Sequence, residues 1–351
     1  MSLPEWQEMF GSGAETKRFR LVTKRGLPLL LLPLQSKIAA RTLELYPAQT
    51  FLARSFKVAL SLSIRGHLPT ALPTVELPFS ANAPIPDFIR RCASGDREFG
   101  ILLGNANAPG RRWILMIFDA DGRPWQILKT GVSPRARELI RAEAAILSKF
   151  SPSAGCFPVL RDTLETEISA VCMDYAPGCT PRAAELVGQT LTRWLRPEEK
   201  RMISDFPAWQ RVRNSDAQPA MITDVENELD STPLTPALSH GDFAPWNIRE
   251  DNGKWTVLDW ERGEESGMPG WDWLHFHIQK DVLVLKKSAP HVWDSTIRLM
   301  KSQSFRNYSA AAGISGKDRS ILQSYLLHAI HVNRQTEGIE TLKHLLAISR
   351  G

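Results

Sequence analysis

Cysteine is scarce in this sequence. Its 351 residues include four cysteines, at 92, 156, 172 and 179, and these are scattered without the paired spacing of zinc ligands. The pattern excludes a disulfide-stapled secreted domain and a zinc-binding module. We therefore expect reduced thiols and a cytoplasmic location.

Long apolar runs are also absent. The leucine-rich stretch at 27–33 is far shorter than the ~20 residues of a membrane-spanning helix, and it is bracketed by prolines. The amino terminus has no basic region ahead of an apolar run, so we expect no secretory signal and no transmembrane segment. No internal repeat or low-complexity tract interrupts the chain.

Charge is unevenly distributed along an otherwise ordinary globular composition. Residues 1–97 contain 13 Lys and Arg against 7 Asp and Glu, whereas the remainder contains 30 against 31. Two interpretations of this basic excess stay open: a docking surface for an anionic partner such as phospholipid head groups, nucleic acid or an acidic polymer, or solvated helix faces. Basic and aromatic residues do not alternate there as in single-strand binders, so no nucleic-acid partner is expected.

The most informative segment has the sequence SHGDFAPWNI at 239–248, followed by VLDWE at 257–261. It places Asp242, Asn247 and Asp259 on a turn-rich loop and at the end of a short predicted strand. Phosphoryl transfer needs an acceptor for the proton of the incoming hydroxyl and oxygen ligands for Mg²⁺. A carboxylate and a neutral amide are ligands that Mg²⁺ accepts. Asp and Asn are also common in ordinary turns, which is the structural alternative.

The pattern His240-x-Asp242-x-x-x-x-Asn247, with Asp259 on the next strand, resembles the aminoglycoside phosphotransferase and choline kinase family, relatives of protein kinases. The resemblance implies Asp242 as the catalytic base, and Asn247 and Asp259 as ligands of Mg²⁺ beside ATP. It also implies that Asp272, in the later PGWDWL motif, braces the catalytic loop.

A kinase-like protein also needs a lysine on a strand and an acid on the following helix. The sequence predicts strands at 111–118 and 125–129, a turn at Asp121-Gly122, and a helix at 136–147. Lys129 would then contact the phosphates of ATP and pair with Glu143, with Glu138 as the second choice. A solvated lysine at a strand edge is the plain alternative.

Two further segments are expected to contact ATP. Residues 99–110 form a predicted strand and a loop of small residues whose backbone amides could approach phosphate, although a plain hairpin turn explains the loop nearly as well. By resemblance to the segment between kinase lobes, the backbone of Asp174, Tyr175 and Ala176 is expected to meet the adenine edge.

The chain is expected to have three parts: an amino-terminal extension at 1–97, a kinase-like N-lobe at 98–176 and a C-lobe at 177–351. The extension is predicted to contain a hairpin at 19–32, helices at 37–45 and 48–64, and a proline-punctuated connection at 69–86. Because its apolar stretches at 29–32 and 51–62 need burial, we expect the extension to complete the core of the N-lobe. In the C-lobe, helices are expected at 282–287, 293–300 and 320–330. The C-lobe also contains a cluster of aromatic residues: Trp246, Trp260, Trp271, Trp273 and Phe276. We expect this cluster to pack in the core rather than to form a cage for a quaternary ammonium group.

These observations predict an α+β, bilobal protein-kinase-like fold with a small β-rich N-lobe, a large helical C-lobe and an extra amino-terminal segment. The expected function is transfer of the γ-phosphoryl group of ATP to a hydroxyl of a small molecule, with sugars, amino alcohols and aminoglycosides all open as acceptors. The alternatives are a catalytically weak nucleotide-binding regulatory or scaffold protein, and a kinase that acts on protein side chains. The absence of an Ala-Pro-Glu motif after Asp259 disfavours the last.

Overall fold

A computed structural model describes residues 4–46, 51–66, 72–104, 110–150, 156–181, 185–334 and 337–351. The chain divides into two compact units. The first contains Met1–Pro177 together with Lys254–Thr256, and the second contains Gly178–Gly253 and Val257–Gly351. None of the helices in the described ranges is long and apolar enough to cross a bilayer.

The first unit is built on one eight-stranded sheet in which all neighbouring strands are antiparallel. The strands, in their order across the sheet, are β3 (Thr74–Phe79), β1 (Glu15–Lys24), β2 (Leu27–Pro33), β4 (Phe99–Leu102), β5 (Trp113–Phe118), β6 (Pro124–Gly131), β8 (Ser169–Asp174) and β7 (Leu160–Glu165). Strands from both sides of residue 97 therefore pair in the same sheet. The three-part division of the chain stays a prediction.

Five helices belong to this unit: α1 (Pro4–Phe10), α2 (Ser36–Thr42), α3 (Phe51–Arg65), α4 (Pro84–Ala93) and α5 (Pro134–Lys149). The second half of strand β2, from Leu30 to Pro33, is buried on both faces because helices cover both sides of it. Leu31 packs in a core with residues of α1 and α4, whereas Leu30 and Leu32 pack with residues of α2 and α3. Successive side chains of a strand point to opposite faces, which explains why this short strand is leucine-rich throughout.

The second unit is mostly helical. Its helices are α6 (Glu185–Arg193), α7 (Pro207–Arg213), α8 (Pro219–Leu229), α9 (Trp271–Gln279), α10 (Ala289–Met300), α11 (Gln303–Ala312), α12 (Asp318–Leu327) and α13 (Ile339–Ile348). Strands β9 (Ala237–Ser239) and β12 (Glu264–Gly267) pair in this unit, and β10 (Ile248–Asp251) pairs with β11 (Lys254–Val257), whose first three residues are assigned to the first unit. A mixed fold with a β-rich amino-terminal part and a helical carboxyl-terminal part is thus confirmed.

Two expectations about elements were wrong. The predicted connection at 69–86 contains strand β3 and the start of α4; β3 tolerates Pro78 because it lies at the edge of the sheet, where a missing N–H breaks no ladder. The helix predicted at 282–287 is instead a π-helical turn at Lys280–Val284 that directly follows α9. The hairpin at 19–32 and the strands and helix around Lys129 and Glu143 form as predicted.

Candidate active site

A single carboxylate braces the loop that carries Asp242. Strand β9 ends at Ser239, and the backbone N–H groups of His240 and Gly241 donate to the two carboxylate oxygens of Asp272 at 2.7 and 3.0 Å. Asp272 lies in the first turn of α9 and is buried. Two buried backbone donors are thereby satisfied by one side chain, which fixes the loop against the start of the helix.

Glycine at 241 is a requirement of this loop. Its φ is +74°, a conformation that residues with a Cβ rarely adopt. A Cβ at this position would also lie 2.6 Å from the carbonyl oxygen of Arg262. Close approach of these two backbones leaves no room for a larger residue directly before Asp242.

His240 joins the catalytic loop to the segment that carries Asp259. Its Nδ1 accepts from the backbone N–H of Asp242 at 3.2 Å, so its Nε2 carries the proton that is donated to the carbonyl of Leu258 at 2.6 Å. The N–H of Leu258 in turn donates to the carbonyl of Asn247 at 2.7 Å. His240 is fully buried and both of its ring nitrogens are engaged by the backbone, which fits a packing role rather than that of a base.

The Asp242 carboxylate is held from both ends. One oxygen accepts from Asn247 Nδ2 at 3.0 Å, and the other lies 3.0 Å from Nε2 of His275. Burial alone would raise the pKa of Asp242, but the hydrogen bond from His275 and the nearby positive charge of Arg262 hold that pKa below its ordinary value. Asp242 is therefore an ionised, oriented acceptor at neutral pH.

His275 and Tyr325 are the part of this site that the sequence motifs do not mark. The hydroxyl of Tyr325 lies 3.2 Å from Nδ1 of His275, and both residues are buried. If that hydroxyl donates to Nδ1, the His275 proton is on Nε2, where it faces Asp242. The available signal is helical spacing: His275 follows Asp272 by three residues, so the two share one face of α9.

Asn247 and Asp259 present oxygen donors suited to Mg²⁺. The Nδ2 of Asn247 donates to both the backbone and the side chain of Asp242, at 2.9 and 3.0 Å, which leaves its Oδ1 as an acceptor. Asp259 has φ 64° and ψ 55°, a left-handed conformation that is strained for a residue other than glycine and is typical of functional sites. A carboxylate and an amide oxygen are both hard donors of the kind that this cation accepts.

The first unit contains the predicted pair of Lys129 and Glu143. Lys129 Nζ lies 2.6 and 2.8 Å from the two carboxylate oxygens of Glu143, and both side chains are buried. Lys129 is on β6 and Glu143 on α5, as expected from the sequence. Glu138 is exposed and pairs with Arg135 instead, which removes the second choice.

The expected adenine-contacting segment follows β8. The N–H of Asp174 donates to Val159 and that of Tyr175 to Trp125, both at 2.9 Å. These donors are therefore already used within the unit, and a base could engage only carbonyl groups of these residues or the backbone of Ala176. The Asp174 carboxylate forms a two-point contact with Arg161 at 2.7 and 2.6 Å.

Two other expectations have different outcomes. Residues 105–109 of the predicted phosphate loop lie outside the described residues. Of the aromatic cluster, four members are buried in the core, as expected for packing, and they are Trp260, Trp271, Trp273 and Phe276. Trp246 is half-buried.

Several solved structures are similar to this chain. A putative fructosamine-3-kinase from Haemophilus somnus has a TM-score of 0.48 at 10% identity, covering 76% of this chain and 96% of that one. An ethanolamine kinase from Plasmodium vivax has a TM-score of 0.45 at 11% identity, covering 89% and 93%. An aminoglycoside phosphotransferase from Streptomyces rimosus has a TM-score of 0.44 at 15% identity, covering 73% and 97%.

These similarities assign no role to any residue of this chain. No protein-family model matches the chain. No curated protein matches it at a significant level.

Proposed function

We propose that the protein transfers the γ-phosphoryl group of ATP to a hydroxyl group of a small molecule. The observation that carries this proposal is the Asp242 carboxylate, which is fixed on a braced loop between Asn247 and His275. In phosphoryl transfer the protein contributes mainly positioning and electrostatic stabilisation, so one oriented carboxylate is what the hydroxyl needs. Asp242 accepts the proton of that hydroxyl.

The remaining roles follow from the chemistry of each group. Asn247 and Asp259 would hold Mg²⁺, which when bound neutralises charge on the phosphate oxygens. Lys129 donates to the phosphates of ATP, and Glu143 fixes its ammonium group. The backbone from Asp174 to Ala176 is the proposed contact for adenine.

The acceptor is a small hydroxyl compound, and sugars, amino alcohols and aminoglycosides remain candidates. The depressed pKa of Asp242 supports a group that orients the hydroxyl rather than one that acts as a strong base.

Thermal-shift measurements with ATP test the proposal, first with Mg²⁺ and then with excess chelator, in the wild type and in Asp259→Asn. We expect Mg²⁺-dependent stabilisation of the wild type by ATP and a higher Mg²⁺ requirement in the variant, because a carboxylate ligand has been lost. A panel of hydroxyl compounds is then assayed for conversion of ATP to ADP.

Two results would count against the proposal. If ATP stabilised the protein equally with and without Mg²⁺, the metal would play no part in ATP binding. If Mg-ATP stabilised the protein but ADP formed neither with any acceptor nor by hydrolysis, the result would favour the regulatory or scaffold alternative.

A further inference from the structure

The proposed contacts for ATP lie on one face of the sheet in the first unit. Lys129 and Ile127 are two residues apart on β6, so their side chains point to the same face. Met116 of β5 is opposite Ile127, and Gly100 of β4 is opposite Met116, and directly opposite residues of antiparallel strands share a face. We call the face that carries these four residues the Lys129 face. The proposed adenine contact at 174–176 follows the adjacent strand β8, so a purine whose phosphates reach Lys129 would lie on this face beside Ile127.

Helix α2 of the amino-terminal segment already covers this part of the Lys129 face. Its Ile38 is buried in one apolar cluster with Met116 and Phe118 of β5. Two partly buried residues, Ile127 and Tyr175, pack against the same cluster. The protein itself therefore fills the apolar surface on which a purine would lie.

The contact between α2 and the sheet is closest at Gly100. A Cβ on Gly100 would lie 2.1 Å from Oγ1 and 2.7 Å from Cβ of Thr42, the last residue of α2. Thr42 is fully buried, and its hydroxyl donates to the carbonyl of Ile38 at 3.0 Å. Because only glycine leaves room for this approach, β4 is shaped to receive the helix.

Polar contacts fix both ends of this segment. In the 3-10 turn that follows α2, Glu44 accepts from the hydroxyl of Tyr175 at 2.8 Å and from Arg41 at 3.0 Å. Near the start of α2, the Lys37 ammonium donates to the carbonyl of Asp121 in the turn between β5 and β6. The segment is thus attached both to the proposed adenine contact and to the strand pair beside it.

Given the proposed transfer from ATP, we propose that α2 occupies the site of the nucleotide base and inhibits ATP binding until it moves off the Lys129 face. The helix and the base compete for the same apolar side chains. The apparent dissociation constant for ATP is then the intrinsic constant divided by the fraction of molecules in which α2 is displaced. Weakening the contacts of α2 should therefore tighten ATP binding.

This competition concerns the base and not the phosphates. The contacts of α2 are with residues on the base side, Met116 and Tyr175, whereas the Lys129 ammonium is held by Glu143 of α5. A polyphosphate without a base should therefore bind equally well whether or not α2 is in place. The alternative is that α2 forms a fixed wall of the base site, and weakening its contacts would then weaken ATP binding.

Calorimetric titration of the full-length protein with Mg-ATP and with Mg-tripolyphosphate, which has no base, distinguishes these cases. The opening variant combines Ile38→Ala with Glu44→Ala, so it loses one buried contact and the acceptor of the Tyr175 hydroxyl. The control variant combines Ile89→Ala with Glu98→Ala. Ile89 is as buried as Ile38 but lies on α4 in the core on the opposite face, and Glu98 pairs with Lys17.

We expect the opening variant to bind Mg-ATP at least about tenfold more tightly than the wild type and the control, with the same affinity for tripolyphosphate in all three proteins. Equal or weaker binding of Mg-ATP by the opening variant would overturn the proposal and leave the proposed function intact. An equal gain for ATP and tripolyphosphate would overturn it as well. If none of the three proteins bound either compound, the proposed function would fail together with the inhibition.

Hydrogen exchange of the wild type tests the same proposal without any substitution. Displacement of α2 by the base exposes its backbone amides to solvent. Saturating Mg-ATP should therefore speed amide exchange at 36–45 while it slows exchange elsewhere in the first unit. Slower or unchanged exchange at 36–45 in the complex with Mg-ATP would overturn the proposal.

Discussion

Lys129 carries its charge inside the first unit, with 5% of the residue exposed, against a Glu143 that is fully buried. Two charges in a poorly hydrated site have lost most of their solvation, so each depends on the other. The pair therefore couples the stability of this unit to the proposed position of the nucleotide phosphates.

Glu143→Ala should lower the free energy of unfolding by about 3–5 kcal/mol, because it leaves the Lys129 ammonium buried without this carboxylate. The double variant Lys129→Met with Glu143→Leu should recover most of that loss, since neither charge remains. Both variants should bind Mg-ATP weakly. Denaturant unfolding and calorimetric titration measure the two effects, and wild-type affinity in the double variant would remove Lys129 from the nucleotide site.

His328 should make stability depend on pH. Burial and the nearby positive charges of Arg211, His275 and Arg262 lower its pKa from 6.5 to about 3. Between these values the unfolded state binds the proton and the folded state does not, so stability is complete above pH 6.5 and falls as the pH falls. The loss should be about 2 kcal/mol at about pH 5, relative to about pH 8.

Denaturant unfolding of the wild type and His328→Gln at these two pH values checks this expectation. The variant has no titrating ring, so its pH-dependent loss should be smaller by about the same 2 kcal/mol. An equal pH dependence in the two proteins would show that His328 is protonated in the folded state.

Some residues of the candidate site can be found from the sequence, and others can be found only from the structure. Asp242, Asn247 and Asp259 come from a spaced motif, and Lys129 and Glu143 from a strand followed by a helix, so local patterns suffice to find them. Their catalytic roles stay predictions. His275 and Tyr325 lie 33 and 83 residues beyond Asp242 in the sequence, and only the packing of α9 with α12 brings them to it.

Helix α9 supports the catalytic loop at two successive positions. Asp272 in its first turn accepts from the loop backbone, and His275 on the same face contacts the Asp242 carboxylate. The first contact holds the loop in place, whereas the second orients the reacting group. The two contacts should therefore fail in different ways when they are removed.

Asp272→Ala should lower the free energy of unfolding by about 2–4 kcal/mol, because two buried N–H groups lose their acceptor. His275→Leu should leave stability nearer the wild type but lower turnover by about tenfold to a hundredfold with little change in the KM for ATP. His275→Gln keeps a donor and should lose less. Equal turnover in His275→Leu and the wild type would assign His275 to packing alone.

At the scale of elements, the sequence predicts best where propensity and burial agree. Strands β5 and β6 and helix α5 are apolar or strongly periodic, and each forms where expected. Strand β3 is not predicted from the sequence because Pro78 is compatible with a strand only at the edge of a sheet, and the edge position is known only from the structure. The π-helical turn after α9 is not predicted either, because helical periodicity in a sequence does not distinguish α from π geometry.

In the first unit as a whole, the amino-terminal segment is part of one sheet and one set of cores. Strand β2 pairs with β4 through Leu30–Leu102 and Leu31–Ile101, and Phe10 of α1 stacks on Phe99 at 5.8 Å. The resemblance to small-molecule kinases does not extend to these first residues. The sequence nevertheless favours a core role for them, because their apolar stretches at 29–32 and 51–62 need burial, and Leu30, Leu32 and Leu60 are buried.

A chain that begins near Ser94 should be insoluble. It would expose the edge of β4 and the apolar side chains that now cover Phe99 and Ile101. Expression of the truncated and full-length proteins under the same conditions, followed by fractionation, checks this. A soluble truncated protein that still binds Mg-ATP would contradict it and would make residues 1–93 dispensable for the fold.

The central claim is that Asp242 accepts the hydroxyl proton during transfer from ATP. The most direct measurement compares the wild type with Asp242→Ala in two assays on the same preparations: calorimetric binding of Mg-ATP, and formation of ADP in single turnover with water or an identified acceptor. We predict nearly unchanged Mg-ATP affinity and a rate lower by about two orders of magnitude or more. An unchanged rate in Asp242→Ala would contradict the account.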